Sequence, residues 1–241
     1  MRSLTSFRLK LLGIILMTLD HIYSYIGIIE GINIPIWFGY LGRLAAPIFF
    51  YLMVEGFFKT RDRKKYLGRL LSFAIIMTLI DLIFELYNNI FLSLALSVIL
   101  MMIMEYVKKY KKFSIRNILG TILAIFVGIL SIFTEASIYG LAMTLIFYFF
   151  RNKRRNMAIV YIIFSLIFLI EASNLDTNFL NAILIWDYQW MMVFGIIPIL
   201  MYNGQLGLHN KITKWMFYVF YPVHLIAIVI IKNLLPIWIS A

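Results

Sequence analysis

The run KLLGIILMTLDHIYSYIGI, from Lys10 to Ile28, decides how this chain is read. It is long and apolar enough to cross a hydrocarbon layer as a helix, which takes about 20 residues at 1.5 Å each. Yet Asp20 and His21 stand side by side near its middle. An ionisable side chain at that depth costs about 2.5–3.5 kcal/mol on insertion scales, so such groups face the inside of a bundle and mark a site. The acid and the imidazole are therefore expected to look into a polar cavity rather than into acyl chains.

The rest of the chain has the same character. Of its 241 residues 63% are hydrophobic and 14% charged, and the mean hydropathy is +0.92, well outside the range of soluble domains. Apolar runs of about 16 to 22 residues recur between short charged connectors. Alternating ten-residue amphipathic segments are missing, which argues against an outer-membrane barrel. The opening MRSLTSFRLK has the look of a signal peptide, but the following run contains Asp20-His21 and no small-x-small cleavage site, so it is read as a retained first helix. The absence of cysteine excludes disulfides and thiolate chemistry.

Hydropathy predicts an all-α, polytopic transmembrane bundle of about nine helices, at roughly 8–28, 39–58, 66–87, 89–107, 117–134, 138–150, 157–172, 182–202 and 215–239. With no internal repeat and no linker-length connector, residues 1–241 are read as one transmembrane domain. Of the 22 lysines and arginines, 20 fall at the N-terminus (Arg2, Arg8, Lys10), in 59–69, 108–116 and 151–155, and at Lys211 and Lys214. A nine-helix path puts all of these on one face, which the positive-inside rule makes cytoplasmic, with the N-terminus inside. Glu30, Glu85, Glu135, Glu171, Asp176 and Asp187 then lie on the outer side, and Trp37, Trp186, Trp190, Trp215 and Trp238 at span ends. Topology alone accounts for the net charge of +11, and a nucleic-acid partner is not expected.

Within the spans, Lys10 and His21 are eleven residues apart, which returns to nearly the same helix face about 16 Å higher. Thr18, Ser24 and Tyr25 extend that face as a polar stripe, and Asp20 points about 100° away, toward a neighbouring helix. The plain alternative is that Lys10 is an interfacial anchor and His21 a satisfied interhelical hydrogen bonder. In the second span Arg43 sits among Gly42, Ala45 and Ala46, and Pro47 cannot donate to the carbonyl of residue 43. That reads as a pocket wall or, equally, as an ion pair with Asp81. In the last span Phe217, Tyr221 and His224 share a face, and Pro222 frees the carbonyl of Tyr218. His224 is level with His21, so the two form a catalytic or relay centre if their helices are neighbours. Glu55 is placed to neutralise Lys10 or Arg69. The turn YNGQLG, from Tyr202 to Gly207, lies on the cytoplasmic side. No metal is expected, because Asp20, His21, Asp81 and His224 include no pair at the i, i+4 spacing of helical metal sites.

The blocks LGIILMTLDHI, GRLAAPIFFYLMVEGFFKTRDRKKYLGRLLSFAI and MYNG followed by KWMFYVFYPVHL resemble the TraX family, whose named member acetylates the N-terminus of F pilin. They cover about half the chain, including both ends. The wider clan of transmembrane acyltransferases often shows a basic residue, ten intervening residues and a histidine in its first helix, a spacing that Lys10 and His21 reproduce. The resemblance implies a bacterial cytoplasmic-membrane acetyltransferase using cytoplasmic acetyl-CoA. His21 would be general base or transient acetyl carrier, helped by His224 and Asp20, and Arg43 would stabilise the oxyanion or orient the acceptor. Lys10, Glu55, Arg69 and Tyr221 would serve the donor. The acceptor would be a small membrane peptide such as a pilin, or a lipid or glycan hydroxyl. The competing readings are a proton-coupled transporter or flippase, with the buried polar groups as relay, and a non-enzymatic assembly protein of a conjugation or secretion apparatus.

Overall fold

The computed structural model describes residues 3–29, 31–208 and 210–239, residues 236–239 by backbone alone. Arg2, Glu30, His209 and the side chain of Trp238 lie outside the described residues. The fold is an all-α polytopic bundle: α1 (Ser6–Ile26), α2 (Trp37–Gly42), α3 (Ala45–Lys59), α4 (Arg63–Phe84), α5 (Ile90–Val107), α6 (Ile115–Ile132), α7 (Ser137–Phe149), α8 (Arg154–Ala172), α9 (Phe179–Asn181), α10 (Ile196–Leu200) and α11 (Lys211–Ile239). Between α9 and α10 run a π-turn (Ala182–Trp186) and a 3-10 segment (Gln189–Gly195). Among the described residues β-bridging amounts to one parallel pair, Leu4 with Tyr202. Seven helices among the described residues, counting the broken Trp37–Lys59 as one, are long and apolar enough to cross a membrane, or eight with the bent pair Phe179–Trp186 and Gln189–Leu200. The remaining helix, α7, has 13 residues and rises about 20 Å, short of a full hydrocarbon core.

Helix starts follow local chemistry. Thr5, Asp62, Asn89 and Ser114 each turn a side-chain oxygen onto a backbone N–H of the first turn, of Arg8, Lys65, Leu92 and Asn117 respectively. Two of the predicted spans are broken. The expected continuous helix over 39–58 stops at Gly42 and restarts at Ala45, because Pro47 has no N–H for the carbonyl of residue 43, and Leu44 N bonds the nearer Leu41 O at 3.1 Å. The expected helix over 182–202 bends by 71° at residues 187–188. There Asp187 N closes a wide turn on Ala182 O, while Asp187 Oδ1 accepts from Gln189 N at 2.8 Å and starts the next segment. Carbonyls freed by the break are taken up by side chains: Trp190 Nε1 donates to Ile183 O at 2.8 Å and Tyr40 OH to Leu184 O at 2.6 Å. A broken helix at membrane depth requires this kind of substitution.

The chain packs as two compact units, residues 1–49 with 152–241, and residues 50–151. In the first, α1 packs on α2 and α11, and α8 on the 3-10 segment. One end of it is latched by backbone bonds: Leu4 N to Met201 O, Asn203 N to Leu4 O, Ser6 N to Gln205 O and Phe7 N to Leu206 O, with Arg154 Nη2 on Tyr202 O. The start of α1, the start of α8 and the YNGQLG turn thus share that end.

In the second unit α5 is central, packed on α4, α6 and α7. Its core carries an interhelical hydrogen bond, Thr144 Oγ1 to Ser97 Oγ at 2.9 Å, of the kind that joins helices in lipid, and Ser93 Oγ of α5 donates to Thr134 Oγ1 in the α6–α7 connector, also at 2.9 Å. At one end Glu55 pairs with Arg151 at 2.7 Å and Lys59 at 3.4 Å, and Lys108 pairs with Glu105. The partner expected for Glu55, Lys10 or Arg69, is replaced by these two cations because they project from the ends of α3 and α7, where Glu55 also sits. Large apolar side chains such as Leu82, Ile83, Leu119 and Ile122 are exposed, as a surface facing acyl chains requires.

Because the chain has no cysteine, single cysteines report sidedness directly. Lys112→Cys is expected to react with an impermeant maleimide from the cytoplasmic side only, and Asn174→Cys from the opposite side only, when right-side-out and inverted vesicles are compared. Labelling of both positions from one side contradicts the nine-segment path.

Candidate functional site

The first and last helices bring their histidines into contact. His21 Nδ1 lies 2.7 Å from His224 Nε2, with the ring centroids 5.0 Å apart and the planes 11° from parallel. Both side chains are buried, at 6% and 7% exposure. His21 Nδ1 and His224 Nε2 satisfy one another, and aromatic side chains pack against both rings. Tyr221 meets both rings edge-on, Tyr25 meets His21 edge-on, and Phe220 stacks on His224.

This geometry fixes the proton positions. His224 Nδ1 is 2.8 Å from the carbonyl oxygen of Phe220. A carbonyl only accepts, so Nδ1 carries the proton, and in a neutral ring Nε2 is then an acceptor. His21 Nδ1 must therefore donate to His224 Nε2, which leaves the lone pair of a neutral His21 on Nε2. The chain of donors runs from His21 through His224 to the backbone, and its open end is a basic nitrogen. Pro222 does not disturb this chain, since the acceptor it leaves free is Tyr218 O, one turn away from the ring contact.

Next to His21, Asp20 turns away from the imidazole, as its position on the helix requires, and meets Arg43 at 3.2 Å. The alternative partner for Arg43, Asp81, belongs to the second unit and accepts instead from Asn88 N. Consecutive elements α1 and α2 make the pairing with Asp20, and Gly42 is the reason they approach so closely: a Cβ on Gly42 would overlap the Asp20 carboxylate. Arg43 sits at the break between α2 and α3, where Nη1 donates to Gln189 Oε1 at 3.2 Å and the guanidinium lies 5.3 Å over the Tyr188 ring. Its Nε is buried with no hydrogen-bond partner. Tyr188 also contacts Tyr23 and Tyr40 edge-on.

Hydropathy hid Gln189 and Tyr188, because residues 182–202 look like one apolar span. The polar trio Asp187, Tyr188 and Gln189 inside that run was the signal. Lys10 stays on the face of α1 turned to α11, with its ammonium 5.1 Å over the Phe217 ring. Tyr221 belongs with the imidazoles. Glu55 and Arg69 belong to the second unit, where Glu55 pairs with Arg151 and Arg69 lies 5.6 Å over the Tyr66 ring. Among the described residues no group of three His, Cys, Asp or Glu converges as a metal site would.

A family model described as "TraX protein" matches residues 6–232. This chain belongs to the TraX family. A stretch of 72 residues, 30% of the chain, is 40% identical to the "Probable fimbrial assembly protein FimC, serogroup H1" of Dichelobacter nodosus and spans 29% of that protein's length. No solved structure matches the chain. The TraX match spans α1 and most of α11, the two helices that carry the imidazoles, and also Arg43 and the bent segment that holds it.

In nitrogen-15 spectra of the labelled protein, His21 and His224 are both expected as neutral Nδ1–H tautomers, and His224→Phe is expected to release His21 from that form. A proton on Nε2 of His21 in the parent contradicts the assigned direction.

Proposed function

We propose that this TraX-family protein is a multi-pass acetyltransferase of the bacterial cytoplasmic membrane that uses acetyl-CoA as donor. The observation that carries this reading is the 2.7 Å imidazole pair, whose proton order leaves His21 Nε2 as a base at membrane depth. In an apolar site a neutral imidazole is the form a general base needs. His21 Nε2 takes the proton of the acceptor amine or hydroxyl as that atom attacks the thioester carbonyl. The resulting oxyanion collapses, the C–S bond breaks, and CoA leaves as the thiol with the proton held by His21. His224 keeps His21 in the required tautomer and shares the positive charge of the imidazolium. Arg43, held by Asp20 and Gln189 and with an uncommitted Nε, is the group suited to the oxyanion. Lys10 and the basic end of the first unit attract the anionic donor from the cytoplasm. The name of the partial relative, a fimbrial assembly protein, supports a pilin-like membrane peptide as acceptor.

One observation favours a second reading. The 71° break beside Arg43 resembles the discontinuous helices of secondary transporters, in which the imidazole pair would pass protons instead. The two readings separate on the donor: CoA raises the thermal midpoint of an acetyltransferase and leaves that of a proton-coupled carrier unchanged.

Purified parent protein in proteoliposomes is expected to transfer labelled acetyl from acetyl-CoA to membrane peptides. His21→Ala and Arg43→Ala should each slow transfer by about 100-fold or more, while stabilisation by CoA is kept in the former. Equal turnover in the folded variants, or no effect of CoA on the parent, rejects the assignment.

A further inference from the structure

The second unit contains a groove that the chemistry at the histidines does not use. A cavity of about 520 Å³ opens between α5, α6 and α7, bounded by Leu100, Lys108, Thr121, Gly128, Ile132 and Leu141 among others. Its lining is apolar apart from the Thr121 hydroxyl and Lys108, which stands at one end. From Leu100 to Lys108 the wall rises about 12 Å, and from Thr121 to Ile132 about 16 Å. That is the depth of one leaflet of a hydrocarbon core of about 30 Å. The volume suits an acyl chain and is too small for a helix. The missing side chain of Gly128 widens the groove, and a Cβ there would sit at ordinary contact distance from Leu141 on the facing wall.

The mouth of the groove has the opposite character. Between residues 100 and 120 the chain carries Lys108, Lys109, Lys111, Lys112 and Arg116 against one carboxylate, Glu105. Lys109, Lys111, Lys112 and Arg116 are exposed, and Lys108 is 58% exposed although it reaches Glu105 at 3.1 Å. In the same loop Phe113 and Ile115 are 86% and 78% exposed, and Phe113 is held in left-handed backbone with φ of 64°. Cations interleaved with exposed apolar side chains at a helix end are what a loop lying among phospholipid headgroups presents.

We propose that this groove binds one anionic glycerophospholipid of the leaflet on the basic side. Its acyl chain lies between α5, α6 and α7, and its phosphate meets Lys108 and the lysines of the loop that follows. Charge complementarity selects the occupant, since a zwitterionic lipid gains less from five cations and a second copy of this chain would bring the same cations against them.

The test uses the full-length protein in nanodiscs with equimolar palmitoyl-oleoyl phosphatidylglycerol and phosphatidylcholine, followed by native mass spectrometry of the released complex. One retained lipid per chain is expected, with phosphatidylglycerol favoured by about tenfold. Gly128→Leu and Ala124→Phe each fill the groove and should abolish retention. The triple exchange Lys108→Gln, Lys109→Gln and Lys112→Gln, at exposed positions that leave the core intact, should keep one lipid and lose the preference. Equal retention of the two lipids by the parent, a lipid count unchanged in a folded filled-groove variant, a preference that survives the lysine exchange, or a dimer that occludes the groove would each overturn the proposal.

Discussion

Two imidazoles hydrogen-bonded to each other inside a lipid-embedded bundle are the interaction on which the arrangement of this protein rests. A polar group in hydrocarbon has no water to fall back on, so each one present must be satisfied by protein. His21 and His224 meet that demand together at 2.7 Å, and the Phe220 carbonyl closes the chain. This ties α1 to α11 and gives the bond a direction, because only one arrangement of protons satisfies three atoms in a row. The result is a rigid contact with one basic nitrogen left at its end.

The same demand explains the irregular backbone nearby. Breaks in the second and eighth hydrophobic segments expose carbonyls that a continuous helix would have covered. In the eighth, Tyr40 and Trp190 donate to the carbonyls of Leu184 and Ile183, and the Asp187 carboxylate accepts from the N–H of Gln189. These breaks also bring Arg43 and Gln189 together, so the feature that disrupts two helices positions a guanidinium close to the residue that precedes His21. Asp20 then balances Arg43 at 3.2 Å, which couples the charge of the second segment to the residue next to the base.

Much of this was legible in the sequence. The order of hydrophobic segments, the side on which basic residues gather and the unusual cost of Asp20, His21, Arg43 and His224 all follow from hydropathy and the price of buried charge. What escaped was partner choice. Depth along a helix put Arg43 level with Asp81, but depth says nothing about azimuth, and α1 and α2 are adjacent by connectivity and by the small Gly42 between them. A contact between residues 203 positions apart likewise has no trace in one sequence. The break at residues 187–188 was hidden because its polar trio is outweighed by apolar neighbours when hydropathy is averaged over a span.

The account stands or falls on whether the two imidazoles hold each other. A double-mutant cycle for thermal unfolding in one detergent, with His21→Phe, His224→Phe and the combination, measures that directly. A coupling of about 1 kcal/mol, toward the upper part of the range seen for hydrogen bonds between membrane helices, is the expected result. Additive single effects, with no coupling between the two positions, would contradict it.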